Sequence, residues 1–129
     1  GWGRHPRIET DAQRPATATA VPALLAARDG ALLARGMGRS YGDASLAPRV
    51  LDMTALDRLI AFDADTGLLE CDAGLRLAEL LDFCVPRGWW LPVLPGTGAV
   101  TVGGAIAADV HGKNHHHAGS FSAAVDAID

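Results

Sequence analysis

"TVGGAIAADVHGKNHHH", Thr101 to His117, joins a small-sided apolar run, opened by two adjacent glycines, to three consecutive histidines. The run after Gly104 carries too little side-chain volume to fill an ordinary core. Two readings follow: a surface against which a large ligand lies, or close helix packing through Gly and Ala. Just upstream, "PVLPGTGAV" adds a turn at Pro95 to Gly98, so bare backbone amides and the hydroxyls of Thr97 and Thr101 crowd into a short span. Downstream, His111 and His115 stand four apart, the spacing of one helical face, and could suit zinc. Gly112 and Asn114 argue against a continuous helix there, and no Glu completes an H-E-x-x-H pattern, so no metal is expected. A polar loop beside a ligand, with His111, Lys113 and Asn114 as donors, is the better reading; a solvated loop is the alternative, and His117 reads as exposed.

Working outward, "RGMGRSYGD", Arg35 to Asp43, is a glycine-rich turn directly after the strand-like "ALLA". Glycines there let backbone N–H groups approach a phosphate, with Arg39 and Ser40 adding donors. The dinucleotide fingerprint G-x-G-x-x-G fails by one residue, since Gly36 and Gly38 are followed by Gly42, and "DASLAP" is a poor helix start. A pyrophosphate cradle and a plain surface turn both remain open on spacing alone.

Around these motifs the chain alternates short elements. "VPALLAARDG" (21–30) places Leu24, Leu25 and Ala27 on a helical face, and "ALLARG" then runs as a strand. "RVLDM" (49–53) reads as a strand, with Thr54 as N-cap of a helix in "TALDRL". "IAFDADTGLLECDAG" reads as a hairpin turning at Asp65 to Gly67. "LRLAELLDFCVPRG" (75–88) spaces Leu75, Ala78, Leu81 and Cys84 as a helix that Pro86 ends, and "WWLPVLPGTG" follows as an extended segment. The fold class expected is mixed α+β, with small parallel or mixed sheets flanked by helices. "GSFSAAVDAID", Gly119 to Asp129, reads as the start of a strand whose ladder partner would lie beyond it, so residues 1–129 read as part of a longer protein.

The bulk numbers fit one domain with a real core: 129 residues, 49% hydrophobic, mean hydropathy +0.15. A formal charge of -4 with eleven scattered Lys and Arg argues against nucleic acid held through its phosphates. Cys71 and Cys84 read as reduced core residues, and no signal peptide or membrane-spanning run is evident.

Taken together, "ARGMGRSYGDAS", "LPVLPGTGAVTVGGAIAADVHGKNHHHAGSF" and the opening "GWGR" resemble the FAD-binding domain (PCMH-type) of the vanillyl-alcohol oxidase superfamily, most closely the branch that oxidises a lipid-linked ribose. The resemblance covers almost the whole chain and makes 1–129 the N-terminal portion of such a domain. It implies that Gly36, Met37, Gly38, Arg39, Ser40 and Tyr41 hold the FAD pyrophosphate. It implies further that Gly96, Thr101, Val102, Gly103, Gly104, Ala108, Asp109 and His111 lie along the cofactor, with the backbone at Gly103 and Gly104 too near the flavin to admit a Cβ. Many relatives bind flavin covalently through a histidine in the first loop; Arg39 stands at that place here, so the resemblance implies non-covalent FAD. Ser122 departs from the family's usual Ser-Phe-Gly.

The implied reaction is oxidation of a secondary hydroxyl of a sugar-lipid substrate in cell-wall arabinan precursor synthesis. Tyr41, His111 and Lys113 would support it from the substrate side, the main catalytic groups belonging to later residues. A short-chain reductase completing an epimerisation is the implied partner, with a cytoplasmic or peripheral inner-membrane location. The competing readings are a sugar-alcohol or aldonolactone oxidase of the same superfamily, which normally carries the flavin-linking histidine, and a non-catalytic nucleotide-binding domain.

Overall fold

A strand buried on both faces needs adjacent apolar residues rather than alternation, and "RVLD" supplies Val50 and Leu51, 3% and 2% exposed. In the computed structural model, which describes residues 1–27 and 29–129, this segment (β3, Arg49–Asp52) is the centre of a three-stranded parallel sheet. Arg28, within the stretch read as helix and then strand, lies outside the described residues. β1 (Asp11–Gln13) pairs one edge of β3, Asp11 opposite Arg49, and β2 (Leu33–Arg35) pairs the other, Leu33 opposite Val50. All three strands point the same way, so the turns after Gln13, Arg35 and Asp52 leave from the carboxyl end of the sheet, where open parallel sheets place their ligands. The connection from β1 to β2 passes through α1 (Val21–Ala26), with Pro22 in its first turn. The apolar face expected on α1 is half-buried only at Leu24; Leu25 and Ala27 are exposed.

The hairpin forms as expected, from β4 (Leu59–Phe62) and antiparallel β5 (Leu69–Cys71). The Asp63 carboxylate accepts from the N–H groups of Asp65 and Thr66 at 2.8 and 3.2 Å, and the Trp89 ring lies where a side chain at Gly67 would be. Thr54 is not an N-cap: Asp52 caps a 3-10 turn (Met53–Ala55), accepting from the Thr54 N–H at 3.0 Å and its hydroxyl at 2.7 Å. Thr54 lies inside that turn and gives both its N–H and its hydroxyl to the Asp52 carboxylate, so it caps nothing itself.

Helix α2 (Leu77–Cys84) begins two residues later than the spacing suggested, because Glu79 reaches back to the Arg76 N–H and guanidinium in a capping-box arrangement. Its buried face is therefore Leu77, Leu80 and Cys84, while Ala78 is exposed and Leu81 half-buried. Pro86 does not end the helical path; it sits in the first turn of a 3-10 segment (Val85–Arg87), where its missing N–H leaves no bond unmade. The expected closing strand is also corrected. Phe121–Ala124 is a 3-10 turn, and only Ser120 makes a lone antiparallel bridge, to His111. Hydrogen bonds to Asp109 turn this backbone back while Phe121 inserts into the core.

The core holds Leu77, Val93, Ala105 and Phe121 in one cluster and Leu75, Leu80 and Cys84 in another, with Leu91 and Val102 packed against both. A backbone seam runs beside it: Leu77 N–H to Val100 O at 3.0 Å, Ala78 N–H to Gly98 O at 3.0 Å, Val102 N–H to Leu75 O at 2.8 Å and Gly103 N–H to Ala73 O at 2.8 Å. The seam ties the extended segment and α3 (Val102–Ala107) to the start of α2. No helix among the described residues is long and apolar enough to cross a membrane. Both cysteines are free, Cys84 buried and Cys71 half-buried.

Asp72 is a buried carboxylate whose charge is met by Arg58, through Nε at 2.8 Å, Nη2 at 3.4 Å and the backbone N–H at 3.2 Å. The Arg58 side-chain hydrogen bond holds its carboxyl below the usual range. A carboxyl with a lowered folded-state pKa contributes stability above its unfolded pKa, and that contribution is lost as pH falls through the folded value. Unfolding free energy should hold from pH 7 to about 5 and decline below about 4. Asp72→Asn should flatten that acid limb in denaturant titrations; an unchanged limb would exclude Asp72 as its source.

Candidate functional site

At the end of β2 the chain leaves the sheet into Gly36–Asp43, and Gly36 sits so close to the Thr101 side chain that a Cβ there would strike Oγ1. That contact brings the first glycine segment against the second. Beneath the loop the Arg35 guanidinium hydrogen-bonds the Ser45 carbonyl, at 2.5 Å, and approaches its hydroxyl at 3.4 Å; it also fills the space a side chain at Gly38 would need. Gly38 has φ +61°, a conformation L residues rarely adopt. Arg35 thus braces the loop from both ends.

Among the described residues, the N–H groups of Met37, Gly38, Arg39, Ser40, Tyr41 and Gly42 donate to no protein acceptor. The carbonyls are less free, since Ser40 O accepts from the Trp2 N–H at 2.8 Å and Met37 O from Arg39 at 2.9 Å. A row of unspent N–H groups around a positive-φ glycine is an anion-binding concavity. Tyr41 projects outward, 82% exposed.

In the second segment Gly96 is exposed, and a Cβ on it would meet nothing within 4 Å. Thr101 is buried and its Oγ1 accepts from the Gly104 N–H at 3.2 Å, capping α3. The two adjacent glycines differ. Gly103, half-buried beside Val102, faces Ala73, whose Cβ would lie 2.9 Å from an added methyl, so its smallness serves packing. Gly104 is exposed, and among the described residues an added Cβ would meet, outside the helix backbone and its chain neighbours, Thr101 Oγ1 alone, at 3.0 Å. Ala108 and Asp109 follow, both exposed, Asp109 with φ +40°.

The histidine segment docks on the extended one: Asn114 Nδ2 donates to Pro92 O at 2.9 Å, and Gly112 lies against Leu94 O. His111, Lys113, His115, His116 and His117 are exposed. The His115 ring lies 5.3 Å from that of His111 and 3.9 Å from that of His116, and its Nδ1 is 3.2 Å from Gly112 O. No set of three or more His, Cys, Asp or Glu among the described residues could hold a metal ion. Burial pushes the Cys71 thiol up to about 11 and raises that of Cys84, so neither is a thiolate nucleophile at neutral pH.

Sequence reading missed Arg35 and Ser45, although a long cation immediately before a glycine loop is itself a signal. It also missed a cleft of about 340 Å³ beside Met37, flanked by Arg14, Thr54, Arg76 and Glu79. Arg76 and Glu79 are local partners at the start of α2, but Arg14, Met37 and Thr54 come from three other stretches of chain that nothing local marks as their neighbours. The combined surface offers backbone donors for an anion, and bare glycines for a flat body alongside.

The family described as FAD binding domain matches residues 12–129. Decaprenylphosphoryl-beta-D-ribose oxidase of Mycolicibacterium smegmatis is 47% identical over 127 residues, covering 94% of this chain and 28% of the relative. A protein of Streptomyces coelicolor named "Uncharacterized protein in mprA 5'region" is 62% identical over 47 residues, 36% of this chain and 12% of its own length. The chain thus spans under a third of the length of these relatives.

Proposed function

This chain belongs to the FAD-binding domain family, and from that premise we propose that its two glycine segments form one FAD site of an oxidase acting on a secondary hydroxyl of a lipid-linked sugar. The observation that carries the reading is the contact of Gly36 with Thr101, which makes one surface of the unspent N–H row and the bare glycines. The fit to FAD is chemical: a diphosphate needs several converging donors, and an isoalloxazine needs a flat approach free of side chains.

Met37 to Gly42 would hold the pyrophosphate through backbone N–H groups, with Arg39 and Ser40 adding side-chain donors. Gly96 and Gly104 would face the ribityl and flavin region, buried Thr101 with Val102 and Gly103 fixing that backbone from behind, and Ala108 and His111 would continue the same edge. His111, Lys113 and Tyr41 would line the side from which a hydroxyl substrate approaches, as orienting donors. FAD, when bound, supplies the acceptor for the two electrons and the hydrogen that leave the carbinol carbon. The substrate class comes from the relative's name, which describes an oxidase of a decaprenylphosphoryl ribose. On this reading residues 1–129 contribute the cofactor surface, while a substrate domain, a reductase partner and contact with a membrane through the lipid belong to the proposed whole enzyme.

Arg39 occupies the place of a flavin-linking histidine and its guanidinium is turned onto Met37 O. FAD should therefore be released into the supernatant when the yellow protein is precipitated with acid. Colour that stays with the pellet would mean a covalent link and favour the sugar-alcohol oxidase reading; a colourless protein that takes up no FAD would end the proposal.

A further inference from the structure

Helix α3 ends at Ala107, and the chain reverses at Asp109, which takes φ +40° and donates its N–H to Ile106 O at 2.9 Å. Among L residues Asn and Asp tolerate this region best. The carboxylate reaches a segment eleven to thirteen residues on. Oδ2 accepts from the Ser120 hydroxyl at 2.7 Å and Oδ1 from the Ser122 N–H at 2.9 Å, so both oxygens are engaged. The backbone repeats the link: Phe121 N–H donates to Val110 O at 2.8 Å, and His111 bridges Ser120. Phe121, 5% exposed, anchors the far side of this clip in the core, and Val110 N–H donates to Ala105 O at 3.0 Å on the near side. Between the joined ends lie the His111–Asn114 turn and, where the sequence suggested only a polar loop, a single helical turn (His115–Ala118); the clip closes the base of both.

We infer that Asp109 is a positioning residue, which sets the His111–Lys113 turn through Ser120 and Ser122 rather than by touching the cofactor. The inference revises the role that family resemblance implied for Asp109. It rests on the proposed FAD site only for the flavin readout below. The Ser122 N–H also holds the Asp109 carboxyl below its usual range, in keeping with an acceptor already in use.

The test compares Asp109→Asn, Asp109→Gly and Asp109→Ala in the FAD-loaded protein by two measurements: amide hydrogen exchange over residues 108–122, and visible circular dichroism of the bound flavin. Asparagine keeps the backbone conformation, accepts from the Ser122 N–H through its amide oxygen and donates to the Ser120 oxygen; it should keep parental exchange and an unchanged flavin band. Glycine relieves the backbone but carries no clamp. It should raise exchange across 108–122 by about tenfold or more, since two hydrogen bonds are lost and either alone carries about that weight, and alter the flavin band at undiminished FAD content, as should alanine. A glycine variant that matches the parent would overturn the clamp. An asparagine variant as damaged as alanine would show that the carboxylate charge itself is required, as for a group touching the ligand, and would overturn the positioning role. So would faster exchange with an unchanged flavin band. Failure of the parent to bind FAD would sink the functional proposal instead, with the exchange arm still deciding whether the clamp exists.

Discussion

Leu77→Ala should lower the unfolding free energy by about 2–5 kcal/mol, the range for emptying a buried leucine site. Leu77 is fully buried at the first position of α2, packed with Val93, Ala105 and Phe121. These partners come from three other parts of the chain, so the cavity cannot close by a local shift. Against a typical total of about 5–15 kcal/mol the loss is a large fraction. The thermal midpoint should fall by roughly 6–20 °C for a domain of this size. Because the seam from Leu77 to Val100 and from Leu75 to Val102 seats the start of α3, FAD affinity should fall as well. Denaturant unfolding and FAD titration on one preparation check both; a midpoint within a degree of the parent would remove Leu77 from the core that supports the site.

Gly104→Val should leave the fold intact and lower FAD affinity by about a hundredfold, equivalent to about 3 kcal/mol. The position is exposed on α3, where valine is at least as good a helix former as glycine, and only Thr101 Oγ1 must yield a little. The two new methyls would stand on the face against which the flavin is proposed to lie. Gly103→Val is the contrasting variant: it drives a branched side chain into Ala73, so the thermal midpoint should drop before any ligand is added. Fluorescence titration of FAD with thermal unfolding of each variant separates the two effects. Parental FAD affinity in Gly104→Val would show that this face is not the cofactor's.

That contrast marks how far a sequence can be read. Two neighbouring glycines look identical in "TVGGAIA", and a resemblance assigned both to the flavin; the backbone places one against Ala73 and the other against open surface. The asparagine at 114 was read as a ligand donor, yet its side chain holds the loop to Pro92. Asp109 likewise spends its carboxylate on two serines. Each is a polar group whose partner lies eleven or more residues away, beyond any spacing rule.

What the sequence determined alone are the features whose causes are local. The hairpin turn at Asp65 to Gly67 follows from an aspartate that bonds its own downstream amides. The glycine loop follows from residues that bare the backbone, and the central strand from adjacent Val50 and Leu51. Tertiary structure alone decided the rest. β1 is three exposed residues, Asp, Ala and Gln, with no periodicity to announce it, and it is a strand because β3 offers a ladder. The closing segment has strand-like composition but no ladder partner among the described residues beyond the single Ser120 bridge, and the Asp109 clamp folds it into a turn instead. Arg35 became the brace of the glycine loop only when β2 ended above Ser45. Hydrogen-bond partners and steric neighbours are properties of three-dimensional approach. The sequence states which groups must be satisfied, and the fold decides by whom.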